Sequence, residues 1–161
     1  MSDGSIPDWL QRKHAAISEF EAEKQSQMLA KMTVRVEGAS FWDQVCTRIK
    51  VVTENPPKGL WARFHHAPDS MNEQKDHCRI EIGYSCASPR FRYTDLWYEL
   101  GGDFIQCRPM GEAESYLRLC VAEGKVRAIN RSEPMSAEMV ARFIAEPLIE
   151  YAMPAALAGV S

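Results

Sequence analysis

The residues able to do chemistry in this chain are few, and their spacing works against the common arrangements. His65 and His66 are adjacent, as are His77 and Cys78. Each pair sits where apolar and polar residues alternate as in a strand, and neighbours on a strand point to opposite faces. Neither pair can close on one ion. The chain has no HExxH, no CxxC and no carboxylate cluster at ligand spacing, so no metal and no cofactor is expected. The five cysteines, Cys46, Cys78, Cys86, Cys107 and Cys120, are widely spaced and odd in number. That pattern favours reduced thiols and a cytoplasmic setting over a disulfide framework. A cysteine nucleophile needs a nearby base and an electropositive, partly open setting. Cys78, Cys107 and Cys120 instead lie in strand-like runs where a small apolar residue would serve, and read as buried, inert thiols. Gly101-Gly102 is accounted for by a turn, and neither a phosphate loop nor a GxSxG elbow is present. Asp95 and Glu99 share a strand face and could form an acid–base pair. A cross-strand ion pair of Asp95 with Arg108 is the simpler reading. No catalytic residue is assigned.

Three stretches of different period must position these side chains. From about Pro7 to Asn55 the chain reads as two helices. Ser5 or Asp8 is the expected cap of the first, with Pro7 in its first turn. Leu10, Ile17, Phe20, Met28, Leu29 and Met32 recur at helical spacing, interrupted by the polar run 21–27. Such a helix reaches ~35–40 Å at 1.5 Å per residue. Either part of it projects into solvent or a second copy of the chain covers it. Gly38 is expected to end or bend it, and Ser40 to cap a second helix. That helix carries Phe41, Trp42, Val45, Cys46, Ile49 and Val52 on one face and stops at Asn55-Pro56-Pro57.

From Lys58 to Asn130 the period is that of an antiparallel sheet of five or six strands. Gly101-Gly102 joins one hairpin. If Leu100 pairs with Asp103, Tyr98 faces Ile105, Leu96 faces Cys107, Trp97 faces Gln106 and Asp95 faces Arg108. Glu123-Gly124 joins the second hairpin. Pairing Ala122 with Lys125 gathers Leu117, Leu119, Val121, Val126 and Ala128 on one face, and Arg118, Cys120 and Arg127 on the other. Strands are also expected over 60–66 and 78–84. The polar residues 67–77 between them read as a mobile loop. Phe91 and Tyr93 start a further strand, and the apolar phase then slips near Thr94-Asp95, which suggests a bulge or turn. Ser136 should cap a C-terminal helix that Pro147 kinks or divides. The fold expected is α+β, one domain over 1–161, with 1–6 and 154–161 as loose tails and the helices on the apolar sheet face.

Composition narrows the function classes. In 161 residues, 45% are apolar and 25% charged, so a real core can form. A net charge of −3 gives no general pull toward nucleic acid or an anionic membrane. The first residues lack the basic-then-apolar pattern of a secretion signal, and no apolar run approaches the ~20 residues that span a bilayer. Arg79, Arg90, Arg92, Arg118 and Arg127 avoid the apolar sheet face in this register, with Trp61 and Trp97 turned the same way. Candidate binding residues are Trp61, Arg63, Arg79, Arg92, Trp97, Arg118 and Arg127. The function these features favour is a non-enzymatic interaction or ligand-binding module that self-associates as a homodimer. One alternative is an enzyme or small-molecule binder with a pocket between sheet and helices, its polar groups drawn from Cys107, His77 and Asp95. The other is RNA or single-strand binding on the arginine face.

Overall fold

The computed structural model describes residues 4–69, 71–84, 90–131 and 133–157, with the side chains at 72, 73, 90 and 154–157 outside that description. One uninterrupted helix, α1, runs from Asp8 to Glu54. At ~1.5 Å per residue it is ~70 Å long. The two helices expected here are one. Pro7 itself occupies the cap position, without a side-chain cap, and its carbonyl accepts from the Leu10 and Gln11 amides. Ser40, the expected second cap, is an exposed residue inside the helix. The C-terminus behaves as expected. Asn55 ends the helix, its Nδ2 donating to the Val51 carbonyl at 2.8 Å.

Gly38 does not break α1 because it answers a packing demand. A Cβ at this position would lie 2.6 Å from Tyr98 Oη and 3.4 Å from Leu119 Cδ1. Helix α1 crosses the sheet so closely here that only a residue without a side chain fits. That contact outweighs the ~1 kcal/mol that glycine costs a helix. Gly38→Ala is therefore expected to destabilise the protein by ~1–2 kcal/mol despite alanine's better propensity. A denaturant titration checks this, and a variant more stable than the parent would contradict the packing account.

Seven strands follow, each antiparallel to the one before and in chain order across the sheet. They are β1 (Leu60–Asp69), β2 (Asn72–Tyr84), β3 (Arg90–Glu99), β4 (Phe104–Pro109), β5 (Ser115–Ala122), β6 (Lys125–Ile129) and β7 (Pro134–Met135). The expected five or six strands fall short because β7 is only a two-residue edge. The stretch expected as a mobile loop is mostly paired backbone. Ala67 lies opposite His77 and Pro68 opposite Asp76, with a register irregularity before Asp69. Its sequence looked like a loop because most of its residues have no core to face. Ala67 and Pro68 are exposed, so no apolar alternation was required of them.

Strand β3 is also continuous, with unbroken register against β2 from Lys75–Glu99 to Tyr84–Arg90. The expected bulge at Thr94-Asp95 is absent. The phase slips because two polar residues are buried on opposite faces, Thr94 at 2% and Asp95 at 5% exposure. Both hairpin registers are as expected, Tyr98 opposite Ile105 and Leu96 opposite Cys107, and Val121 opposite Val126 and Leu119 opposite Ala128. Glu123 and Gly124 both have positive φ, the geometry of the tight turn that matches strand twist.

One face of the sheet packs on helices. Ile80, Ile82, Leu96, Ile105, Leu117, Val126 and Ala128 are buried there, against Phe41, Trp42, Val45 and Ile49 of α1. Helix α2 (Ala137–Leu157) covers the same face with Val140, Ile144 and Leu148. Ser136 caps it as expected, with Oγ accepting from the Met139 amide at 3.3 Å. It is one helix that continues through Pro147 and reaches Leu157, into the segment expected as a tail. The architecture is α+β, and among the described residues no helix is long and apolar enough to cross a membrane.

Candidate functional site: the open face of the sheet

Both helices lie on one face, and among the described residues no element covers the other. Strand parity decides what that open face displays. From β1 come Trp61, Arg63 and His65, from β2 His77, Arg79, Glu81 and Gly83, and from β3 Phe91, Tyr93, Asp95 and Trp97. Gln106 and Arg108 of β4, Arg118 and Cys120 of β5, and Arg127 of β6 continue it.

Asp95 is its centre. Arg79, directly opposite on β2, donates from Nε to Oδ1 at 2.8 Å and from Nη2 to Oδ2 at 3.0 Å. His77 Nε2 lies 2.8 Å from the same Oδ1, a contact that requires the ring proton on that nitrogen. Burial disfavours the charged carboxylate, and the hydrogen bonds from Arg79 and His77 outweigh it, so the Asp95 carboxyl is held below its ordinary value. The same hydrogen bond to Asp95 raises the Arg79 guanidinium against a smaller effect of burial. The pair expected from the sequence, Asp95 with Arg108, does not form. Arg79 satisfies Asp95, and Arg108 turns to Glu114 in the β4–β5 connection.

Aromatic rings fill the spaces between these charges. The His77 ring stacks on Trp97 with centroids 4.9 Å apart and planes 25° apart. From β4, Arg108 lies over the same indole at 5.3 Å. Trp97 is thus approached from both flanking strands. Arg79 lies 4.0 Å over Tyr93, and Arg63 lies 5.1 Å over Trp61. The Trp61 indole lies on Gly83, where a Cβ would come 2.5 Å from Cζ2. Glycine near the end of β2 therefore marks a seat for a ring.

Six of the seven candidate residues read from the sequence, Trp61, Arg63, Arg79, Trp97, Arg118 and Arg127, share this face. Arg92 does not. It occupies a helix-side position opposite Ile82, and its guanidinium lies 3.8 Å over the Tyr151 ring of α2. Nor do the rest form one cluster. Arg127 on β6 is five strands from Trp61 on β1, ~24 Å at the usual strand spacing. The Arg90 side chain and Cys86 lie outside the described residues. The half-buried centre is the His77, Arg79, Tyr93, Asp95, Trp97 and Arg108 group. His77, Tyr93 and Arg108 were not among the expected binding residues, although parity with Trp97 would have placed each on this face.

A second polar cluster lies on the helix side. Trp42 Nε1 donates to Asp76 Oδ2 at 2.6 Å, and His66 Nε2 contacts the same oxygen. Cys46 Sγ lies 4.0 Å from that same His66 nitrogen. In thiol–imidazole–carboxylate catalysis the thiol and the carboxylate use different ring nitrogens. Here both meet at Nε2, and Cys46 is 4% exposed. The cluster is a clasp that fastens α1 to the β1–β2 hairpin. The interior thiols are also unsuited to attack. A hydrogen bond from Cys46 and burial both push the Cys78 thiol far up, and burial pushes Cys107 up to about 12.

The three groups considered for an internal pocket are divided by the sheet. Cys107 faces the helices at 1% exposure, whereas His77 and Asp95 face the open side. The His77–Asp95 pair resembles the orienting half of an acid–base site. Asp95, however, is already engaged on both oxygens by Arg79. Among the described residues no group of three or more His, Cys, Asp or Glu is placed to hold a metal ion. No family model, curated protein or solved structure matches the chain.

Proposed function

We propose that this chain is a non-enzymatic interaction module that docks a protein partner on the open face of its sheet. The observation that supports this reading is the uncovered centre of that face, where Trp97 is held between His77 and Arg108 beside buried Asp95 and its partly exposed partner Arg79. Tryptophan, tyrosine and arginine carry most of the energy in protein interfaces, particularly where they are ordered before binding. Every long side chain in this group is already fixed by a neighbour, so less conformational entropy is lost on docking.

The arrangement favours a protein over a single nucleic-acid strand. Stacking on Trp97 would require a base to displace His77 or Arg108. Two of the guanidinium groups that would meet phosphates, Arg79 and Arg108, are neutralised by Asp95 and Glu114. A photo-crosslinking residue at Gln106, beside Trp97, tests the reading in cells. Expected is a discrete protein adduct at Gln106 and none at Arg142, an exposed position on α2. Equal labelling at both positions, or a nucleic-acid adduct at Gln106, would overturn it.

A further inference from the structure

We propose that the N-terminal part of α1 pairs antiparallel with the same segment of a second copy of this chain, on a surface distinct from the sheet face. Residues 11–29 are all exposed. At ~1.5 Å per residue, the stretch from Asp8 to Leu29 is ~33 Å of helix standing off the domain. A lone helix of this length is marginal in water, and this one carries Trp9, Ile17 and Phe20 at 62%, 57% and 67% exposure.

Two features of the segment name its occupant. The first is the seam. Val34, Gly38, Phe41 and Val45 face the sheet and are buried. Counted back in steps of seven, the same two rows pass through Lys31, Gln27 and Lys24 and then reach Phe20, Ile17 and Leu10, with Lys13 among them. The apolar stripe is broken by these polar residues where α1 leaves the sheet and resumes at Phe20, Ile17 and Leu10 with nothing beneath it. The second is the charge order. Arg12 and Lys13 lie near the start, and Glu19, Glu21 and Glu23 follow about two to three turns on. Turning a second copy about a two-fold axis near Ala16 sets the basic end of each helix beside the acidic stretch of the other. Parallel pairing would set like charge beside like. Ala16 flanks the axis, with Ile17 near it and Leu10 of one copy toward Phe20 of the other.

Light scattering behind size-exclusion chromatography, from low micromolar to sub-millimolar protein, should show the mass rising to twice that of one chain. The Ile17→Glu, Phe20→Glu double variant should keep the mass of one chain throughout. At low micromolar protein, where the parent is also a single chain, its thermal midpoint should match the parent's, because both residues are exposed and outside the core. Reversing Glu19, Glu21 and Glu23 to lysine should also give monomer. Mixing that variant with one carrying Arg12→Glu and Lys13→Glu should restore a mass of two chains. A single-chain mass for the parent at every concentration overturns the proposal, as does a dimer that survives the double variant. A dimer lost instead in Trp97→Ala would place self-association on the sheet face. Failure of the charge-reversed pair to associate overturns the antiparallel orientation.

Discussion

Replacing Asp95 with alanine is expected to lower unfolding stability by ~2–4 kcal/mol, a large share of a small domain's total. Removing one member of a buried ion pair leaves the other without its partner in a poorly solvated place. Here two donors are stranded at once, Arg79 and His77. The loss is smaller than at a fully buried pair because the Arg79 side chain is 36% exposed and water can partly replace the carboxylate. Asp95→Asn should cost less, since its carbonyl oxygen can still accept one of the bonds.

The acid limb should change with it. The folded state holds the Asp95 carboxyl below its ordinary value, so this stabilisation is present above the unfolded-state pKa of ~4. It is lost as pH falls through the folded value. Urea titrations from neutral to acid pH should show a shallower decline for Asp95→Asn than for the parent. Parallel declines would mean that the Arg79 and His77 bonds to Asp95 are not made in solution.

The second large effect is expected at Gly83→Val. A Cβ there would lie 2.5 Å from Trp61 Cζ2 and 2.7 Å from the Phe91 Cβ. The Phe91 contact is to the first atom of a side chain on a paired strand, which no rotamer change can move. Valine gains up to ~1 kcal/mol of strand preference. Overpacking costs typically 1–3 kcal/mol and sometimes more, and a net loss near 3 is expected because backbone or indole must give. Gly83→Val combined with Trp61→Ala should recover part of the loss, because the indole is one of the two obstacles. No recovery, with stability unchanged by Gly83→Val itself, would show that Trp61 does not rest on this glycine. Thermal denaturation of the three variants measures this.

What the sequence made legible here depends on where local rules operate. The two hairpins could be read in register because Gly101-Gly102 and Glu123-Gly124 fix the pairing and both legs alternate cleanly. From that register, the placement of Trp97, Arg118 and Arg127 on the open face follows by parity. Reading fails where a distant contact sets the local choice. Gly38 looks like a breaker until Tyr98, sixty residues on, is seen to lie against it. Arg92 looks outward-facing until the Tyr151 ring of α2 is placed beneath its guanidinium. The phase slip in β3 looks like a bulge because Thr94 takes a core position and Asp95 is buried by partners from the next strand. The His66, Asp76 and Trp42 clasp joins three elements and leaves no local trace. The partner of Asp95 was misread for a similar reason. Arg79 and Arg108 both lie directly opposite it, on β2 and β4, and only Glu114 decides which is free to pair.

The central claim, that the Trp97 surface docks a partner, is tested most directly by the affinity of the protein captured at Gln106 for parent and Trp97→Ala chains. Calorimetric titration should show at least ~10-fold weaker binding for the variant, the effect of removing an interface anchor. Arg108→Ala, which leaves the indole in place but removes its cation, should show a smaller loss, and both variants should remain folded by circular dichroism. Equal affinity for folded parent and Trp97→Ala chains would contradict the account.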